Sequence, residues 1–474
     1  MKNNKFIFIL IVIGLLLTAC ESLLEIDPTS SEEILATDAL QTESDIEELL
    51  NSAYDALSGI YGGTFQRSGD LLGDDLTFKP GVTSNLVNIY NRFSTVYFTD
   101  HDTYSNSYIS IMRANTVLEN IDDIPMSEDT RKELKAECYF IRAICHFALV
   151  RLYSQPYGYK IDNSHKGIVL KTNTKIELLA RNTVEEVYTL IESDLKTAES
   201  DLPASNSDFA RATTWAAKAF LAQLYFQKHD YDKAFSMAND VVTNSGLQPD
   251  PSHLQRFLST SETVGSEVYE PSSEVLFKLV SSPGRNKAVG GYFDEYRADA
   301  TNIPNIRIDP DVYYDIISAN SQDKRVALWY EIFNANQDNE YVACTKYNKS
   351  FKNIPLAFIT EQKFIRAESA LLKPVVNKAI AIEDLDDIRE RAFGDNSRNV
   401  NSDISEENLL IAIQKEKRLE LMCEGFRTQD LKRRGSGGED GLMVRGVSWD
   451  YPGMVLQITA SEANELFELN EEPQ

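Results

Sequence analysis

The chain has 474 residues, of which 73 are Asp or Glu and 47 are Lys or Arg, giving a formal net charge of −26. An acidic excess of this size argues against nucleic acid or an anionic membrane surface as a general partner, because phosphate binding needs a cationic face. The length suffices for one large or two ordinary cores, and the five cysteines include no CxxC pair and no Cys/His cluster with zinc spacing.

Lys2 and Lys5 precede an apolar run from Phe6 to Leu17 and then small residues, the three parts of a secretory signal. The run is about a dozen residues, short of the ~20 that a spanning helix needs. Leu17-Thr18-Ala19-Cys20 resembles the bacterial lipobox, which implies a signal peptide over 1–19 and acylation of Cys20, by palmitate or a similar chain. Residues 20–42 are polar, with Pro28 and several Ser and Thr, and read as a flexible leader between lipid and folded body. Residues 43–474 read as a single, mostly α-helical domain.

Helical patterning opens with Ile46, Leu49, Leu50, Ala53, Leu57 and Ile60 at helical spacing. A long helix is expected from about Glu128 to Tyr153, with acidic residues in its first turn. It would carry Cys138 and Cys145 about 10 Å apart along its axis, too far for a disulfide. Buried free thiols are expected there and at Cys344 and Cys423. Thr183 and Glu186 form a capping box before the stripe Val184, Val187, Tyr188, Ile191, Leu195, Ala198 and Leu202.

Residues 212–244 read as two helices joined at His229-Asp230-Tyr231. The small residues Ala222 and Ala234 would let them approach closely, as in a tetratricopeptide repeat, and Ala367 to Ala379 repeats the spacing. A helical-repeat scaffold is therefore expected. From about 245 to 360 the pattern breaks into short β-like runs, Val275–Val280, Val326–Phe333 and Tyr341–Tyr347, the last two forming a hairpin. Irregular insertions on a rigid scaffold are where binding usually resides. Helices return over about 360–392 and 405–435.

The segment Ile413 to Gly435, IQKEKRLELMCEGFRTQDLKRRG, resembles the C-terminal signature of the SusD/RagB family, surface nutrient-binding lipoproteins of Bacteroidetes. Its matching residues are Glu416, Arg418, Glu420, Leu421, Glu424, Gly425, Arg427, Asp430, Leu431, Arg433 and Gly435. Further matches run in order along the chain: Ala53 to Leu57, Gly73-Asp74-Asp75-Leu76, Tyr108 to Asn115, Glu137 to Phe147, Arg181-Asn182-Thr183, Gln362 to Ala370 and Ile388 to Ala392. Val455 to Glu462 is at best a degenerate version of the family's Pro-Ile-Pro-like ending. On a continuous helix Glu416, Glu420 and Glu424 would share a face with Arg427, and such a ladder is expected to organise packing rather than catalysis.

The resemblance implies a SusD-like, tetratricopeptide-like fold without enzymatic activity. It implies an outer-membrane, surface-exposed lipoprotein that captures oligosaccharide and passes it to a SusC-like TonB-dependent barrel, which the repeat helices would meet. RagB-like capture of peptides and a purely structural envelope scaffold are the alternatives. A hydrolase would need a nucleophile or metal set. The five histidines form no H-E-x-x-H pair, and no G-x-S-x-G elbow occurs. Two carboxylates would suffice for a glycosidase, but the resemblance argues against an enzyme. No motif calls for a cofactor; a structural calcium is compatible with the sequence but carried by no motif in it.

The family binds ligands through aromatic side chains on loops away from the repeats, and two regions match by position. The first holds Asn88, Tyr90, Arg92, Phe93 and Tyr97; the second holds Tyr292, Phe293, Asp294, Tyr296 and Arg297, with Trp329 nearby. Aromatic faces with a few polar groups suit a sugar ring. Only three tryptophans weaken the case for a starch-like aromatic arc and leave a peptide or an oddly shaped glycan open.

Overall fold

The computed structural model describes residues 40–473 except 207–209, 265, 282–292, 300–301, 319–321, 349–351, 461 and 463–464; side chains at 262, 264, 267, 293, 294 and 317 are likewise not described. The signal segment, Cys20, the leader up to residue 39 and Tyr292 therefore lie outside the described residues. No described helix is long and apolar enough to cross a membrane.

Helices dominate the chain: α1 (Glu43–Tyr61), α2 (Thr64–Leu72), α3 (Asn85–Tyr90), α4 (His101–Asn120), α5 (Glu128–Tyr153), α6 (Val184–Asp201), α7 (Thr214–Gln227) and α8 (Tyr231–Asn244). After the insertion, which carries the short α9 (Phe293–Tyr296) and α10 (Lys324–Trp329), come α11 (Ile359–Leu372), α12 (Lys378–Phe393), α13 (Glu406–Leu421) and α14 (Arg427–Ser436). Local chemistry sets these ends. Thr42 and Thr183 each make a full capping box, with Asp45 and Glu186 respectively. Ser127, Thr213, Asp230 and Ser405 cap four other helices through their side chains.

The long helices stack in the order α1–α4–α5–α6–α7–α8–α11–α12, each packed on the next, which is a tetratricopeptide-like helical scaffold. The stripe predicted on α1 is buried at Ile46, Leu50, Ala53, Leu57 and Ile60. Ala222, Ala234 and Ala238 are fully buried between α7 and α8, as the small-residue spacing requires. On the later pair the close approach uses Ala367 and Ala381; Ala379 is exposed. Pro374, which cannot continue a helix, separates α11 from α12. All four cysteines of the described region are free and buried.

The insertion builds a four-stranded antiparallel sheet in the order β1–β5–β7–β6, from Leu76–Phe78, Ile306–Ile308, Tyr341–Cys344 and Tyr330–Phe333. The expected hairpin is present as β6–β7, with Phe333 opposite Tyr341, but Lys324–Trp329 ahead of it is helical. β2 (Glu262–Val264) pairs with β3 (Glu267–Tyr269), and β4 (Val275–Leu279) with β8 (Ile354–Phe358) through a bulge. The sequence pattern passes over β8 because Pro355 sits inside it.

The expected continuous helix over 405–435 is two helices. The chain leaves α13 at Leu421, and Cys423 and Gly425 take left-handed conformations with φ of 65° and 84°. Glu424 therefore leaves the face it would share with Glu416 and Glu420 on a straight helix, and lies in the turn between α13 and α14.

Candidate ligand-binding face

The signature residues are the clamp on which the insertion is mounted. Glu420, fully buried, takes Arg256 at 2.6 Å, Arg325 at 3.1 Å, His253 at 2.7 Å and Arg391 at 3.4 Å. Burial works to raise its carboxyl, but the His253 hydrogen bond and the charges of Arg256 and Arg391 hold it well below the usual range. Burial, reinforced by Arg391, keeps His253 neutral, so its Nδ1–H donates to Glu420. Glu424 binds Arg256 at 2.6 Å and Lys346 at 2.7 Å; Glu416 binds Arg325 and, at 2.8 Å, Arg389.

A second node joins Lys417, Glu368, Asp430 and Arg433, where Arg433 lies 2.8 Å from Glu368 and 2.9 Å from Asp430. A third ties Asp74 to Arg427 and Asp75 to Arg418, each at 2.6 Å. That node fixes the start of β1, since Leu76 follows directly. Charges buried this deeply organise geometry more than they stabilise it, because desolvation offsets much of the attraction.

Glu361 lines a small internal cavity of about 40 Å³ and accepts from Gln223 Nε2 at 3.0 Å. Burial raises its carboxyl to about 8. A folded-state pKa above the unfolded one gives stability that is full below about pH 4.5 and is lost as pH rises through about 8. Glu361→Gln is therefore expected to stabilise the protein by roughly 2–4 kcal/mol at pH 8.5 and to change little at pH 5. Urea midpoints at the two pH values check this, and equal effects at both would refute it.

The two predicted ligand regions meet through β1 and β5. α3 follows β1, α9 precedes β5, and the strands pair with Phe78 opposite Ile306. Tyr90 packs edge-on against Phe78 with ring centres 5.4 Å apart, and the Arg445 guanidinium covers its ring at 4.0 Å. Asn88, half-buried, closes the α3 end by accepting the Phe93 N–H at 2.8 Å. Phe93 and Tyr97 stand out from the loop beyond, 52% and 71% exposed, beside Phe98.

Three predicted residues lie behind this face. Arg92 is buried, has φ 61° and donates to Leu72 O; burial and neighbouring Arg445 lower it to about 10. Tyr296 is buried against Tyr347 at 5.9 Å. Trp329 is fully buried under Lys346 and Arg256, which sit 4.0 and 5.1 Å from its ring centre. With no surface to offer, Arg92, Tyr296 and Trp329 support the face and cannot line it. Arg297 is half-buried and paired with Asp299 at 2.7 Å, and the Asp294 side chain lies outside the described residues.

Two clefts use residues that the sequence did not single out for binding. One, of about 560 Å³, opens between Tyr104, Tyr108 and Met112 of α4, Leu178 and the tail residue Phe467. The other, of about 770 Å³, lies between the β2–β3 hairpin, α10 and Arg391. No metal-ligand cluster occurs among the described residues.

A helical-repeat scaffold that clamps an irregular insertion edged with exposed aromatics defines a binding protein built on stacked helix pairs. The chain belongs to the SusD/RagB family: residues 24–226 match a SusD-like family described as "Starch-binding associating with outer membrane", and residues 334–452 match the SusD family itself.

Among curated relatives, SusD-like protein P38 of Formosa agariphila is 24% identical over 95% of both chains. P25 of the same organism is 25% identical over 58% of this chain and 51% of its own length. In three dimensions the chain is similar to a SusD superfamily protein of Bacteroides thetaiotaomicron, with a TM-score of 0.77, 23% identity, and coverage of 91% of this chain and all of the other. A laminarin-binding SusD-like protein superposes with a TM-score of 0.69 at 20% identity, covering 91% of this chain and 99% of its own.

Proposed function

We propose that this protein is a surface-exposed outer-membrane lipoprotein, anchored through Cys20, that captures an oligosaccharide and delivers it to a SusC-like TonB-dependent transporter without chemistry. The exposed aromatic loop Phe93, Tyr97 and Phe98, next to the sheet that joins both predicted ligand regions, carries the binding part of this proposal. Family membership, in a family described as starch-binding and associated with the outer membrane, supports the rest. The laminarin-binding relative of the same fold favours a saccharide over a peptide. Ring faces pack on the C–H face of a sugar while neighbouring polar groups take its hydroxyls.

Calorimetry of the mature chain against an oligosaccharide panel, with oligopeptides as comparator, tests this. Phe93→Ala with Tyr97→Ala is expected to weaken saccharide binding at least tenfold and leave the thermal midpoint within a degree or two, since both rings stand in solvent. Binding of oligopeptides with no saccharide bound would establish the RagB-like alternative instead. Unchanged saccharide affinity in the double variant would move the site elsewhere, with the two clefts the next places to look.

A further inference from the structure

The four-stranded sheet has two chemically different faces. Leu76, Phe78, Ile306, Ile308 and Val342 pack into the main core. Side chains alternate along a strand and direct antiparallel partners share a face, so Thr77 and its partner Arg307 lie together on the opposite face. The ladder runs one step past β1, because Lys79 N–H donates to Asn305 O at 2.8 Å. Lys79 is therefore on the same face as Arg307, one diagonal step away.

Arg307 is held in place without being neutralised. Its guanidinium lies over the Tyr341 ring, 4.2 Å from the centre, and Tyr341 stacks on Phe333 at 5.1 Å with 7° between planes. Its Nε donates to Pro304 O at 3.4 Å. Arg256, Arg325 and Arg433, all buried, end on carboxylates, whereas Arg92, like Arg307, ends on a backbone carbonyl. Among the described residues neither Arg307 nor Lys79 makes an ion pair, although both are half-buried. Glu295, on the adjoining α9, accepts instead from Asn305 Nδ2 at 3.2 Å. Burial lowers Arg307, and only the Tyr341 hydroxyl works against that.

Two half-buried cations on one face, neither of them ion-paired among the described residues although Glu331 and Asp299 act on Tyr341 nearby, are unfavourable for the empty protein. The arrangement becomes favourable when a ligand brings the anion. A planar guanidinium fork grips carboxylate or sulfate with two parallel hydrogen bonds, and an aromatic ring beneath it helps to hold it in place. In a chain of net charge −26 an acidic ligand is repelled at long range, so its recognition needs local cations of this kind.

We propose that Lys79 and Arg307 form a subsite for an acidic substituent, a carboxylate or sulfate ester, on the captured saccharide, with Tyr341 as the platform under the guanidinium. This deepens the oligosaccharide assignment and rests on it. The ligand class becomes anionic glycan, either uronate-bearing or sulfated, and the binding is salt-sensitive.

The mature chain is titrated by calorimetry with tetragalacturonate, a sulfated galactan tetrasaccharide and neutral laminaritetraose. At least one acidic tetrasaccharide is expected to bind ten or more times tighter than the neutral one, and whichever of the two it is distinguishes carboxylate from sulfate. Arg307→Ala should lower that affinity at least tenfold and leave neutral binding within twofold, Arg307→Lys should recover part of it, and Lys79→Ala should weaken it to a lesser degree. A thermal midpoint near that of the parent chain confirms that each variant is folded. Equal or tighter binding of laminaritetraose, or an Arg307→Ala effect that is the same for acidic and neutral sugars, overturns the subsite and leaves saccharide capture standing. Failure of every saccharide, with or without peptide binding, overturns both.

Discussion

Glu420→Ala is expected to destabilise the protein by at least 3–5 kcal/mol and to free the insertion from the helical body before the body itself unfolds. The carboxylate is fully buried and is the common partner of Arg256, Arg325, His253 and Arg391. Removing it does not return these groups to water. It leaves Arg256 with Glu424 and Arg325 with Asp323 and Glu416, but strips the centre of its charge and crowds like charges around a small void. The unpaired remainder, more than the lost contacts, sets the cost.

Urea unfolding measures the total, and limited proteolysis locates it, with first cleavage expected within residues 245–360. Glu420→Gln, which keeps acceptor atoms but no charge, should fall between parent and Ala. A Glu420→Ala chain within about 1 kcal/mol of the parent would show that the network does not clamp the insertion.

How much of this was legible beforehand depends on the range of the interaction. α1, α5 and α6 could be read because an apolar stripe at helical spacing and a capping residue such as Thr183 lie within a few residues of each other. The β6–β7 hairpin was readable for the same reason, as two β-rich runs across a short Asn-rich link. Trp329 and Tyr296 are buried rather than ligand-facing, which the sequence does not show because an aromatic in an irregular segment carries no periodicity to say which way it faces. Their burial is decided by Arg256, Phe257 and Tyr347, brought in by folding.

The same holds for Arg92, whose positive φ and bond to the Leu72 carbonyl are tertiary facts. Arg307 and Lys79 carry no signal in the sequence either. Three residues, Ile306 to Ile308, are too few to show an alternation on their own, and only the β1–β5 register turns Arg307 outward and puts Lys79 beside it. The acidic ladder organises packing but bends out of one straight helix, since nothing in Cys423-Glu424-Gly425 but the glycine signals a reversal.

That glycine carries the second large effect. Gly425→Ala is expected to cost about 2–5 kcal/mol, from a left-handed backbone that L side chains resist and from direct overlap. Gly425 has φ 84°, and a Cβ there would stand 2.6 Å from Gln66 Cα and 2.9 Å from its side chain. The neighbour is the backbone of α2, which cannot rotate away, and α2 is held from the same side by Asp70, whose carboxylate accepts the Gly425 N–H at 3.0 Å. Any retreat of α2 lengthens that bond and shifts Asp74 and Asp75, just past its end, from Arg427 and Arg418.

Gly425→Asn separates the two causes. Asn tolerates positive φ, so a conformational penalty alone would make it much milder than Ala, whereas close approach makes it as damaging or worse. We expect the latter, read as lowered urea midpoints for both variants with Asn at or below Ala. An Asn variant near parental stability would mean that α2 can yield, and that the turn after α13 is held by backbone preference rather than by contact.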